Sequence, residues 1–182
     1  MDELPSLAEL VRRRNALEHE ITALMGRPAA IGHIGEYIAS RIFNISLEKS
    51  ASFKSIDGYF SDGPLKSRSV NIKCYAKREG MLDITPNALP DYYLVMTGLK
   101  SSILTSRERV RPWTIDQVFL FDANTLVEEL MQRNVKMGEA TSVRSILWEN
   151  AEIFPTATNS AYVLSEKQGE ALGLFSAAHM DH

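Results

Sequence analysis

The 182-residue chain is 45% hydrophobic and 24% charged, the composition of one folded domain with attached helices. One cysteine excludes an intramolecular disulfide and a multi-cysteine zinc site, and no apolar run is long enough to span a bilayer. The net charge of −3 argues against a generic nucleic-acid coat, although residues 1–115 carry 16 Lys/Arg against 13 Asp/Glu and residues 116–182 carry 4 against 10.

The opening, Met1 to Pro5, lacks the basic-then-apolar layout of a secretory leader, so a reducing cytoplasm is the expected compartment. Ser6-Leu7-Ala8-Glu9 has the form of a capping box. Leu7, Leu10, Val11, Leu17, Ile21 and Leu24 then recur at helical spacing as far as Gly26, a natural stop, with Arg14 interrupting the stripe. This arm, residues 1–26, can pack on the core or pair with a second copy as a homodimer; the pattern leaves both open. Pro28 opens a second predicted helix running to about Phe43, striped by Ile31, Ile34, Ile38 and Ile42. Gly32, Gly35 and Ala39 make an adjacent strip of small residues that invites another backbone to come close. Glu36 lies at the edge of that strip, about 140° from the isoleucine stripe, and so is not a core position.

Two extended segments follow, Phe53–Phe60 and Ser69–Tyr75. The turn Ser61-Asp62-Gly63-Pro64 between them predicts a hairpin, with a further strand before it at Ile45–Leu47. Strand alternation puts Asn71 and Lys73 on one face and Val70, Ile72 and Cys74 on the other, so Cys74 reads as a buried thiol rather than a nucleophile. Tyr92–Gly98 is nearly continuous in apolar residues, as a central strand is. After a basic loop come a predicted strand at Gln117–Phe121, a helix capped by Asp122, and short helices over Ser142–Asn150 and Ser165–Phe175. The order of elements predicts an α/β (α+β) fold with a mixed sheet: a core over residues 28–134 and a C-terminal helical extension over 135–182 packed on it.

Cleaving a phosphodiester requires an activated water, shielding of the phosphate charge and help for the departing oxygen, all of which a divalent metal supplies when hard oxygen ligands hold it. Asp57 is the first candidate ligand. Asn71 offers an amide oxygen, Ile72 its backbone carbonyl, and Glu36 a second carboxylate; two carboxylates close together favour a cation between them. Lys73 would stabilise transition-state charge or orient the water. Lys66, Arg68, Lys77, Arg78, Arg107, Arg109 and Arg111 are candidate phosphate contacts, although clusters this short are also common on solvated faces. Trp113, Trp148 and the Tyr92-Tyr93 pair read more readily as core than as base-stacking platforms. The four histidines lack metal-ligand spacing, and there is no Gly-rich phosphate loop.

An acid at the end of one strand, an acid-X-Lys triplet on the next and a preceding helical Glu resemble the PD-(D/E)XK nuclease superfamily, which includes many restriction endonucleases. In this chain the acid is Asp57, the triplet Asn71-Ile72-Lys73 and the helical residue Glu36, and the similarity spans roughly residues 28–122. Ile34-Gly35-Glu36-Tyr37-Ile38-Ala39 and Val70-Asn71-Ile72-Lys73 also resemble small bacterial proteins of this type. The resemblance implies a restriction endonuclease-like fold, Mg²⁺ or Mn²⁺ as cofactor, DNA as substrate and a bacterial or phage source. One position departs from the pattern: Asn71 stands where an acid is usual, which removes a negative charge from the metal site. The alternative expectation is a catalytically inactive module of the same fold, binding nucleic acid or a partner protein in a bacterial defence or toxin assembly.

Overall fold

A computed structural model describes residues 3–48, 55–99 and 113–180. Helix α1 (Leu4–Met25) leads through Gly26 to α2 (Ile31–Ile42), then β1 (Ile45–Leu47), β2 (Gly58–Phe60), β3 (Ser69–Tyr75) and β4 (Met81–Leu82). Next come β5 (Tyr92–Thr97), β6 (Gln117–Asp122), α3 (Ala123–Gln132) and β7 (Thr141–Ser142). The chain finishes with α4 (Ser145–Ala151), β8 (Glu152–Phe154), α5 (Glu166–Gly173) and α6 (Ala177–Met180). Among the described residues six strands form one mixed sheet in the order β1-β2-β3-β5-β6-β8, in which only β3 and β5 run parallel; β4 and β7 form a separate antiparallel pair. The fold is therefore a mixed β-sheet flanked by helices, with an N-terminal helical arm. Among the described residues no helix is long and apolar enough to cross a membrane.

Alternation along the central strands divides the core in two. Val70, Ile72, Leu94, Met96, Val118 and Leu120 face Ile38, Ala39 and Ile42 of α2 and Leu172 of α5. Tyr93, Val95, Phe119 and Phe121 face Leu126, Val127 and Leu130 of α3 and Trp148 of α4. Strand β5, fully buried from Tyr93 to Thr97, lies between β3 and β6 and is covered on both faces, which is why it reads as a continuous apolar run. Trp148 meets Phe119 and Phe121 edge-on at centroid distances of 4.8 and 5.0 Å, contacts that each contribute about 1 kcal/mol beyond burial. Trp148 and Tyr93 are core residues, unavailable for stacking on bases.

Several local expectations hold. Gly26 closes α1 in the left-handed region (φ 71°), its N–H donating to Thr22. Asp122 caps α3 through Thr125, and α5 falls within the helix expected over Ser165–Phe175, where Ser165 and Gln168 add a capping box beyond that expectation. Others are corrected. The helix of the arm begins at Leu4 with Pro5 in its first turn, so Ser6 lies inside the helix and caps nothing; Glu9 pairs with Arg12 instead, at 2.8 Å. Helix α2 begins at Ile31 rather than Pro28, because Ala30 is extended (ψ 145°). The 135–182 segment holds strand as well as helix, since β8 pairs with β6 at the sheet edge.

The small-residue strip of α2 works at one position. A Cβ on Gly35 would lie 2.7 Å from Cys74 Cβ and 2.9 Å from its Sγ, so the absent side chain is what lets α2 sit down on β3. Gly32 meets nothing within 4 Å. That close approach brings Glu36, the next residue on α2, toward the edge of β3.

Candidate functional site at the parting of two strands

The hairpin forms as the turn predicts, but its ladder is short. Strands β2 and β3 pair through Gly58↔Val70 and Tyr59↔Ser69, and the Asp57 N–H donates to the Val70 carbonyl at 2.9 Å. There β2 ends. The next rung on that edge of β3 belongs to Ile72, whose N–H donates to the Asp57 carboxylate at 2.6 Å. A side-chain oxygen thus stands where a strand carbonyl would have continued the sheet. In a strand the N–H and C=O of one residue point to the same side, so the Ile72 carbonyl also faces the β2 side of β3, past the last described rung of that ladder. The backbone of Tyr75, in the alternate register, turns the other way, its carbonyl accepting from Gly98 beyond β5.

Around Asp57 stand charges from α2, from β3 and from the linker before α2. Burial pushes its carboxyl above the usual carboxylate range; the Ile72 N–H opposes that shift, Glu36 adds to it, and Lys73 and then Arg27 act against it. Asp57, Glu36, Lys73 and Arg27 therefore share one electrostatic neighbourhood. Glu36 is tied to Arg27 at 2.6 Å, with its side chain 21% exposed. Arg27 carries no recognised pattern, and sequence reasoning missed it: it follows the helix stop at Gly26, and only the fold turns it back onto Glu36, nine residues on.

Asn71 lies on the opposite sheet face from α2, beside Tyr93 in register. It is 4% exposed, and its Oδ1 is buried with no hydrogen-bond partner among the described residues. Such an atom forfeits water without replacement, at a cost of about 1–3 kcal/mol, unless a ligand serves it. Lys73, two residues on, shares this face and is half-buried. The structure thus sets Glu36 and Asp57 near the backbone of Ile72, with Asn71 and Lys73 adjoining from the far face. Among the described residues no three His, Cys, Asp or Glu side chains converge as a metal-holding group. Cys74, packed under Gly35, has its thiol pushed up to about 12 by burial and is no nucleophile.

The predicted phosphate contacts have unequal freedom. Lys66 is exposed. Arg68 is spent on Asp91 at 3.0 Å, and Asp91 also accepts from the Ser69 N–H and hydroxyl, both at 2.7 Å, which ties the start of β3 to the start of β5. Although partial burial acts to raise the Asp91 carboxyl, the Ser69 bonds and Arg68 prevail and hold it below its usual range. Lys77 pairs with Glu79, and the Arg78 guanidinium lies over the Phe119 ring at 5.7 Å. Arg107, Arg109 and Arg111 lie outside the described residues.

No protein-family model matches the chain, and no curated protein matches it either.

Proposed function

We propose that this protein is a divalent-metal-dependent nuclease of restriction endonuclease-like fold, hydrolysing phosphodiester bonds with DNA as its substrate class. The observation that carries this reading is the parting of β2 from β3 at Asp57, which sets a carboxylate, a strand carbonyl and a lysine beside one another where the described ladder ends. The oxygen donors here are of the chemical kind that a hard cation takes. Asp57 would be its anionic ligand and the Ile72 carbonyl a neutral one, while the partnerless Asn71 Oδ1 is a buried oxygen of the kind such a cation uses. Bound there, Mg²⁺ or Mn²⁺ supplies positive charge to the phosphate oxygens and acidifies a coordinated water.

The remaining work falls to the chain's own groups. Lys73 donates hydrogen bonds to the phosphate or to the attacking water, in a setting where a fixed positive charge needs no reorganisation as negative charge develops. Glu36 balances Arg27 in the resting arrangement, and it joins the oxygen donors only by releasing that guanidinium, which then becomes available to a phosphate.

A second reading has its own observation. The closed Arg27–Glu36 pair and the uncharged Asn71 also suit a non-catalytic module of the same fold that binds nucleic acid or a partner protein. The test is cleavage of plasmid, single-stranded DNA and RNA with Mg²⁺ or Mn²⁺, comparing wild type with Lys73→Ala and with chelator. Cleavage lost in both controls supports the nuclease. Nucleic-acid binding by a folded wild type that cuts none of the three substrates favours the module.

A further inference from the structure

Helix α1 is 22 residues long, about 33 Å, and none of its residues is buried. Yet Leu7, Leu10, Leu17 and Leu24 are 55%, 58%, 59% and 75% exposed, a greasy stripe that the other described residues leave uncovered. Those positions follow a heptad. With Leu7, Arg14 and Ile21 at a, the d positions are Leu10, Leu17 and Leu24, which is the seam of a two-stranded coiled coil with a single polar residue in it.

We infer that α1 is a self-association helix, pairing antiparallel with α1 of a second copy of this chain. The charges on the flanks suit a second copy, and Arg14 in the seam chooses the direction. In a parallel pair Arg14 would face its own copy in the seam. In an antiparallel pair each a position opposes a d position, so Leu7 meets Leu24, Leu10 meets Ile21, and Arg14 meets Leu17. Arg14 already holds Glu18 of its own helix at 2.8 Å, so its head group is paired outside the seam and its stem is left to lie against Leu17 of the other copy. At the g positions, Arg13 then faces Glu20 of the other copy, twice by symmetry. The stripe is thus complementary to itself in shape and charge, as a two-fold interface requires. This inference is independent of the nuclease reading.

The test is sedimentation equilibrium of the full chain across concentration. The mass should rise from 20.4 kDa toward twice that value. Leu10→Glu with Leu17→Glu should hold it at one chain without lowering the unfolding temperature of the core, because neither leucine is buried in the monomer. Arg13→Glu should weaken the dimer about tenfold, and adding Glu20→Arg should restore it. A monomer at every concentration, a mass above two chains, or a dimer indifferent to the leucine changes overturns the inference. Restoration of Arg13→Glu by Glu18→Arg instead of Glu20→Arg overturns the antiparallel direction, because parallel helices pair those two positions.

Discussion

The Asp57 carboxylate accepts the Ile72 N–H at 2.6 Å, at the point where the β2–β3 ladder would otherwise have added its next rung. That one bond fills a sheet position with a side chain, and it keeps the carboxylate beside Glu36, Lys73 and Arg27 despite the cost of burying it. Stability and the proposed chemistry therefore pull on Asp57 in opposite directions.

Asp57→Asn should abolish cleavage and raise stability at neutral pH. Because the folded carboxyl titrates above its ordinary 3.8, the folded state binds the proton more tightly than the unfolded one. The contribution is favourable below the unfolded value and is lost as pH rises through the folded one, so the asparagine gains most above that window and nothing below it. Urea unfolding at a series of pH values reads this directly. Asp57→Ala, which leaves the Ile72 N–H without an acceptor, should instead lose about 1–3 kcal/mol.

Asn71→Asp should tighten Mg²⁺ binding about tenfold, since a carboxylate would replace a neutral donor in a site proposed to hold a cation. In chelator the same variant should be less stable than wild type, because the new charge is buried without a partner. Calorimetric titration with Mg²⁺ and thermal unfolding with and without chelator separate the two effects. Equal Mg²⁺ affinity in the variant and wild type would remove Asn71 from the site.

Gly35→Ala should cost about 1–3 kcal/mol by overpacking, because the new methyl group would meet both Cβ and Sγ of Cys74. Gly32→Ala, on the same helix but facing open space, should cost nothing or stabilise slightly. Unfolding midpoints of the two variants make the comparison, and equal losses would mean that α2 does not approach β3 as closely as described.

Lys66→Ala should weaken nucleic-acid binding without changing the unfolding midpoint. It should also flatten the dependence of log K on log salt by about 0.9, as loss of one phosphate contact does. Arg68→Ala should lower stability as well, because it strips Asp91 of a partner at the joint between β3 and β5. Binding isotherms at several salt concentrations, run beside denaturant melts, distinguish a free phosphate contact from a structural arginine.

Features set by near neighbours along the chain were legible without coordinates. The two-residue period separated Asn71 and Lys73 from Val70, Ile72 and Cys74, and the cores on the two sheet faces follow that division. The nearly continuous apolar run at Tyr92–Gly98 marked a strand covered on both faces, Asp122 marked a helix start and Gly26 a helix end. Each of these depends on what a backbone does within a few residues: which side chains share a face, and which donors need a cap.

Tertiary structure decided the rest. Where β2 leaves β3, and hence that Asp57 bonds the Ile72 backbone between Asn71 and Lys73, depends on how far the strand departs, which no local period encodes. Arg27 closes on Glu36 because the linker after Gly26 turns back, and Arg68 is spent on Asp91 because parallel pairing brings the starts of β3 and β5 together. Composition and spacing name the groups a chain carries. Which of them meet depends on the path of the chain between them, and here that path decides which charges stay free and which are already paired.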